Sequence, residues 1–206
     1  MYSEEEKHRR LADLRTRVIR EQEIEKWREV WFFPERDGVK GWQGTQDIMF
    51  VGLNPSTGWF PSQADVFFYG ELQQDEFGNA HLTDVVKCRA TSREADEWCN
   101  SKNPKFSQDR LIEHLAYLEE EIQLIAPRLV VPMGGACKAL LTAVAQCLPS
   151  LGHLLPTPLV LQEGCLPHYA RLQRLREEQR ECFREAFGKQ MQLARRVYQG
   201  RAEVRE

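Results

Sequence analysis

No run of apolar residues in this chain is long enough to cross a bilayer, so a membrane-spanning segment is not expected. The first residues, Met1-Tyr2-Ser3-Glu4-Glu5-Glu6, are acidic and hold no apolar core of a secretory signal. The six cysteines, at 88, 99, 137, 147, 165 and 182, include no CxxC pair and form no disulfide framework. Together these absences point to a reducing, cytoplasmic setting. No His/Cys/Asp spacing suggests a zinc site, and no metal or redox cofactor is expected. Neither a GxGxxG nor a Walker pattern is present, which argues against a dinucleotide- or NTP-binding protein. There is no internal repeat and no low-complexity linker. An excess of positive charge is missing too. The formal net charge is −3, which argues against strong non-specific nucleic-acid binding over the whole surface but leaves room for a local basic face.

What is present is the composition of a folded domain. Of 206 residues, 42% are hydrophobic and 29% charged, enough for a core and too evenly mixed for disorder. Residues 4–33 read as an amphipathic helix, with Leu11, Leu14, Val18, Ile24, Trp27 and Trp31 at helical spacings. Residues 47–53 read as a first buried strand, 81–86 as a second, 128–133 as a third and 158–161 as a fourth. Helices are expected at 107–126 and after Gly134-Gly135, and one or two more in the tail from about residue 169, where Gly188 is a candidate break. Residues 55–80 carry Gly and Pro breakers around Phe67-Phe68-Tyr69 and have no clear assignment. Strands alternating with helices predict a three-layer α/β/α sandwich: a parallel sheet of about four strands, with helical extensions at both termini. We expect one domain over 1–206, its core at about 46–175.

In a parallel sheet every strand's carboxyl end opens on the same side, where such folds place their chemistry. Three of the expected strand ends carry polar groups: Asn54, Asp84 and His168. Gly52 lets backbone approach a ligand, and Pro55 holds Asn54 out of the helical region. Each feature also has a plain reading. Asn-Pro opens ordinary turns, Asp84 suits a helix cap or an arginine partner, His168 suits a loop, and Phe67-Phe68 suits a core.

The order and spacing of four segments resemble the uracil-DNA glycosylase superfamily. Gly52-Leu53-Asn54-Pro55-Ser56 is similar to the Gly-Ile-Asn-Pro-Gly of its mismatch-specific and thymine-DNA glycosylase branch. Leu82-Thr83-Asp84-Val85-Val86-Lys87-Cys88-Arg89 resembles the Ile-Thr-Asn-Val-Val-Lys-Cys-Arg-Pro of its iron-sulfur branch, and Val130 to Leu141 resembles that branch's third strand and helix. Leu166-Pro167-His168-Tyr169-Ala170 stands where a His-Pro-Ser type motif is expected. The resemblance spans about residues 46–175 and implies a DNA glycosylase that excises an altered or mismatched base. It implies that Asn54 positions the attacking water and that His168 donates a hydrogen bond to the leaving base. Backbone N–H groups from Gly52 and Leu53 to Ser56 would hold a base carbonyl, and Phe67 or Phe68 would stack on an extruded base. Lys87, Arg89, Arg171 and Arg174 would grip DNA phosphates.

Two departures alter the expectation. Asp84 replaces the usual Asn, and an ionised carboxylate offers only acceptors. It would oppose O4 of uracil, so a base with an exocyclic amine, or a damaged base, suits it better. No cysteine precedes Cys88, so the four thiolates of an iron-sulfur cluster are not expected. The rival reading is a catalytically inactive nucleic-acid-binding module on the same fold.

Overall fold

A computed structural model describes residues 2–24, 29–90, 109–147 and 165–200. Its centre is a parallel sheet of three strands in the order β2–β1–β3: β1 is Gln46–Gly52, β2 Ala80–Asp84 and β3 Leu129–Pro132. All of β2 and β3 and the last five residues of β1 are buried, as expected for strands covered on both faces. The sheet has three strands where about four are expected. The expected fourth, at 158–161, lies outside the described residues. The next described segment joins the sheet through one parallel bridge, Met133 to Leu166.

Helices cover both faces, which gives the three layers. On one face Phe50 of β1 meets Phe68 of helix α2 (Gln63–Gln74) and Phe77 just beyond it. Residues 55–80, unassigned from sequence, hold this helix because Ser62 and Asp65 form a reciprocal capping box. On the other face His81 of β2 meets Glu121 of helix α3 (Asp109–Ile125). Helix α4 (Gly135–Cys147) follows β3, and Cys137 lies against Val51 of β1. A 3-10 turn (Tyr169–Arg174) leads into helix α5 (Glu177–Tyr198). Gly188 does not break α5; the helix runs through it because Phe187, Met191 and Ala194 on either side bury one continuous face.

The N-terminal helix, α1, is Glu4–Ile24 and shorter than the expected 4–33. Residues 29–33 instead run alongside 87–89: Val30 bridges Cys88 antiparallel, and Trp31 N–H bonds the Lys87 carbonyl. Pro34 disfavours helical backbone at Phe33, and three consecutive aromatics fit an extended edge better than a helix. This places Trp31 beside the carboxyl ends of the strands. The terminal helices join the same core as the sheet, through Leu11, Leu14 and Val18 at one end and Phe187, Met191 and Ala194 at the other.

Candidate active site

The strand ends meet through backbone pairing that continues past the sheet. Val85 N–H bonds the Gly52 carbonyl, Val86 N–H bonds Leu53, and Ala90 N–H bonds Pro55. The first and second motifs are thereby zipped side by side. From the third strand end, Gly134 N–H takes the Leu166 carbonyl. Gly134 sits at φ +90, and a Cβ there would lie 3.2 Å from that of His168. Only glycine suits both the backbone and the approach of the histidine.

These ends enclose a cavity of about 390 Å³, lined by Asn54, Ser56, Asp84, His168 and Arg174 among others. Asn54, Asp84 and His168 therefore share one pocket, although they are distant in sequence. Its aromatic wall is Trp31, Phe33, Phe60 and Tyr169, with Trp59 at the rim.

Each polar group is held in a defined state. Asn54 Nδ2 donates to the carbonyls of Pro55 (3.0 Å) and Ala90 (3.3 Å). With the donors so engaged, what the side chain offers a ligand is the acceptor Oδ1. His168 Nδ1 accepts from Ala170 N–H at 3.3 Å. A neutral ring must then carry its proton on Nε2, which becomes a donor. Burial and the nearby Arg174 lower the affinity of His168 for a second proton, with Asp65 pulling the other way. The ring lies nearly parallel to Tyr169, at 5.2 Å and 15°, and Tyr169 stacks on Phe68 at 4.5 Å and 8°.

Asp84 is 5% exposed. Burial pushes its carboxyl up to about 7; the Lys87 cation opposes this and the Glu121 anion adds to it. Both acid and carboxylate forms are thus populated near neutrality. Gly52 is what admits this side chain: a Cβ on Gly52 would sit 2.1 Å from Asp84 Oδ1. Gly52→Ala should force the carboxyl aside and cost about 1–3 kcal/mol in urea unfolding. The cost should shrink when Asp84→Ala is combined with it; additive losses would mean that the two positions do not meet.

Several expected site residues lie elsewhere. Phe68 is fully buried, wedged between Phe50 and Tyr169, and cannot stack on a base. Phe67 turns toward Phe183 and Phe187 of α5. Their positions in α2 point both rings at core neighbours, so the aromatic wall comes from Trp31 and Phe60. Lys87 is 1% exposed and ion-paired with Glu121 at 2.7 Å, out of reach of a phosphate. Arg89 donates from Nη1 to the carbonyls of Ser56 (2.8 Å) and Gly58 (2.7 Å), so it fastens the pocket loop. Arg174 lines the pocket, whereas Arg171, exposed on the same 3-10 turn, does not. Gly52 and Leu53 are buried and do not line the cavity, whereas Ser56 does.

Trp31, Phe60, Asp65 and Tyr169 line the pocket without having been singled out from sequence. The Ser62-x-x-Asp65 pattern is a helix-start signal that would have placed α2 and turned Phe60 away from it. Among the described residues no three His, Cys, Asp or Glu side chains gather as a metal-binding group. Cys88 and Cys137 are buried within the core. None of the described helices is long and apolar enough to cross a membrane.

A family model described as the uracil DNA glycosylase superfamily matches residues 42–192. A search of curated proteins found no match.

Proposed function

The chain belongs to the uracil-DNA glycosylase superfamily, and from that premise we propose that it hydrolyses the N-glycosidic bond of an altered or mismatched base in DNA. The observation that carries this reading is the meeting of Asn54, Asp84 and His168 in one pocket whose walls are aromatic. A flat base fits between Trp31 and Phe60 on one side and the His168–Tyr169 stack on the other. Asn54 Oδ1 accepts a hydrogen bond from a water and aims the water's lone pair at the anomeric carbon; as the new C–O bond forms and the glycosidic C–N bond breaks, the water's proton passes to solvent and the base leaves as an anion that solvent protonates. An amide is too weak a base to take that proton fully, so its contribution is orientation. As the glycosidic bond breaks, negative charge builds on the leaving base. Nε2–H of neutral His168 donates to the oxygen that gathers it. Asp84 reads the pairing edge. As an acid it donates to a base oxygen; as a carboxylate it accepts from an exocyclic amine.

DNA reaches such a pocket only with the target nucleotide turned out of its stack. Arg174 in the pocket wall and Arg171 on the same 3-10 turn supply cations for the backbone. Trp59, 95% exposed at the rim, is placed to stack on a neighbouring base, in a loop that Arg89 already holds. Trp59→Ala should weaken oligonucleotide binding by about 5- to 100-fold, the range for loss of one base–aromatic stack. Unfolding should be unchanged. Anisotropy titrations giving equal affinities would remove Trp59 from the interface.

The reading is tested by incubating the protein with single- and double-stranded oligonucleotides that hold uracil, hypoxanthine, xanthine or mismatched thymine, and scoring abasic sites. Excision of at least one base is expected. Salt-sensitive binding with no abasic site from any base would instead support a non-catalytic nucleic-acid-binding module.

A further inference from the structure

Beneath the pocket lies a buried ionic cluster that the reaction above does not use. Lys87 leaves the turn after β2 and folds back under the strand end. Its Nζ donates to Thr83 Oγ1 at 2.6 Å and to the Asp84 carbonyl at 2.5 Å. It is ion-paired with Glu121 of α3 at 2.7 Å. The other Glu121 oxygen is 3.4 Å from His81 Nε2, and His81 Nδ1 is 3.2 Å from the Gly44 carbonyl. Lys87 is 1% exposed, and Glu121 and His81 are fully buried.

Such a pair is an expensive way to hold a helix to a sheet. Desolvating two charges costs several kcal/mol each, and apolar replacements of similar volume often do as well or better. A clamp between α3 and β2 needs no charge. This pair, however, is wired to Asp84: the ammonium bonds its main chain, and both charges act on its carboxyl.

We propose that the buried Lys87–Glu121 pair sets the protonation state in which Asp84 meets the base, and through it whether the pocket takes a base with an acceptor edge or one bearing an amine. Lys87 and Glu121 are thus positioning and specificity-determining residues that act through Asp84. The assignment of the base rests on the glycosylase reading; the control of Asp84 does not.

The charges around Asp84 make the argument specific. Lys87 draws it toward the carboxylate, and Glu121 from α3 opposes. On the pocket side stand Asp65 and Tyr69 of α2 and His168 and Tyr169 of the 3-10 turn, with His81 behind Glu121. Lys87 is the cation that acts on Asp84 most directly, and Glu121 offsets it only in part. With the pair intact, burial prevails and Asp84 is still protonated in part near neutral pH. Without the Glu121 charge, Lys87 would act unopposed.

The test follows the Asp84 carboxyl directly, by ¹³C NMR titration of the full-length protein labelled at Asp, with the signal assigned by its loss in Asp84→Asn. Glu121→Gln keeps the shape and removes the anion. The Asp84 midpoint should fall by about one pH unit or more, and the pH at which uracil excision declines should fall with it. Lys87→Met combined with Glu121→Leu removes both charges and loses the stronger influence, the attraction of Lys87. The midpoint should then rise. If Glu121→Gln does not fold, the apolar double variant carries the test alone. An unmoved midpoint in either folded variant would overturn the proposal and leave a structural clamp. If the wild type excises no base at all, the function reading fails, while the NMR midpoints still decide this one.

Discussion

Asn54→Ala is expected to lower single-turnover base excision by at least about a hundredfold, the scale of loss when a reacting group is misplaced by about 1 Å. DNA affinity should change little. The fold should survive, because Asn54 is half-buried and, among the described residues, its side chain bonds only the carbonyls of Pro55 and Ala90. Losing those bonds should cost about 1 kcal/mol in unfolding. A loss confined to the chemical step is the mark of a group that orients water. If Asn54 were only a turn residue, the order would reverse: stability would fall and turnover of the folded fraction would stay near wild type. Rapid-quench kinetics beside urea melts separate the two, and near-wild-type turnover would remove Asn54 from the reaction.

The parts of this site that were legible in sequence are those set by local pattern. β1 could be read because Ile48 to Val51 is an uninterrupted apolar run ended by Gly-Leu-Asn-Pro, and β2 because Leu82, Val85 and Val86 mark an apolar stretch at 81–86, although the strand itself ends at Asp84. Parallel strands then oblige Asn54 and Asp84 to open on one side. The illegible parts depend on tertiary contacts. Lys87 reads as a surface cation beside Arg89, and only the arrival of Glu121 on α3, far along the chain, gives it a buried partner. Phe67 or Phe68 reads as the ring that stacks on an extruded base beside the first motif. The capping box at Ser62 instead starts a helix there and turns both rings inward. Trp31 reads as the last turn of a helix because its spacing from Trp27 is helical. Its true place is an extended edge, fixed by pairing with residue 87.

Asp84 should give this protein a pH-dependent base preference, and its replacement should have the largest effect on stability. Its carboxyl is ordinarily ionised above about 4, and burial, opposed by Lys87 and aided by Glu121, raises that point to about 7. In the acid form it donates to O4 of uracil and accepts from N3–H. In the carboxylate form it opposes O4 with a second acceptor inside a desolvated pocket, which costs about 1–3 kcal/mol or more. Excision of uracil should therefore fall about tenfold or more as pH rises through 7. A base with an exocyclic amine should be favoured over the same interval. Asp84→Asn supplies both a donor and an acceptor at every pH, so uracil excision by this variant should show no decline through pH 7. Stability follows the same proton. Below about pH 4 the carboxyl is protonated whether the chain is folded or not, and Asp84 costs little. Between about 4 and 7 the folded state holds a proton that the unfolded chain has released, so stability falls as pH rises. Above 7 the cost is complete, and the shift in Asp84 corresponds to a figure on the order of 4 kcal/mol. Asp84→Asn should thus match the wild type near pH 4 and exceed it by up to that amount at pH 8, read from urea midpoints across the range. Parallel stability curves, with a flat pH–rate profile in the wild type and unchanged base preference in the variant, would show that Asp84 carries no titrating charge in the pocket. It would then be a hydrogen-bonded strand end, and the choice of base would have to come from the aromatic wall and the backbone amides beside Ser56.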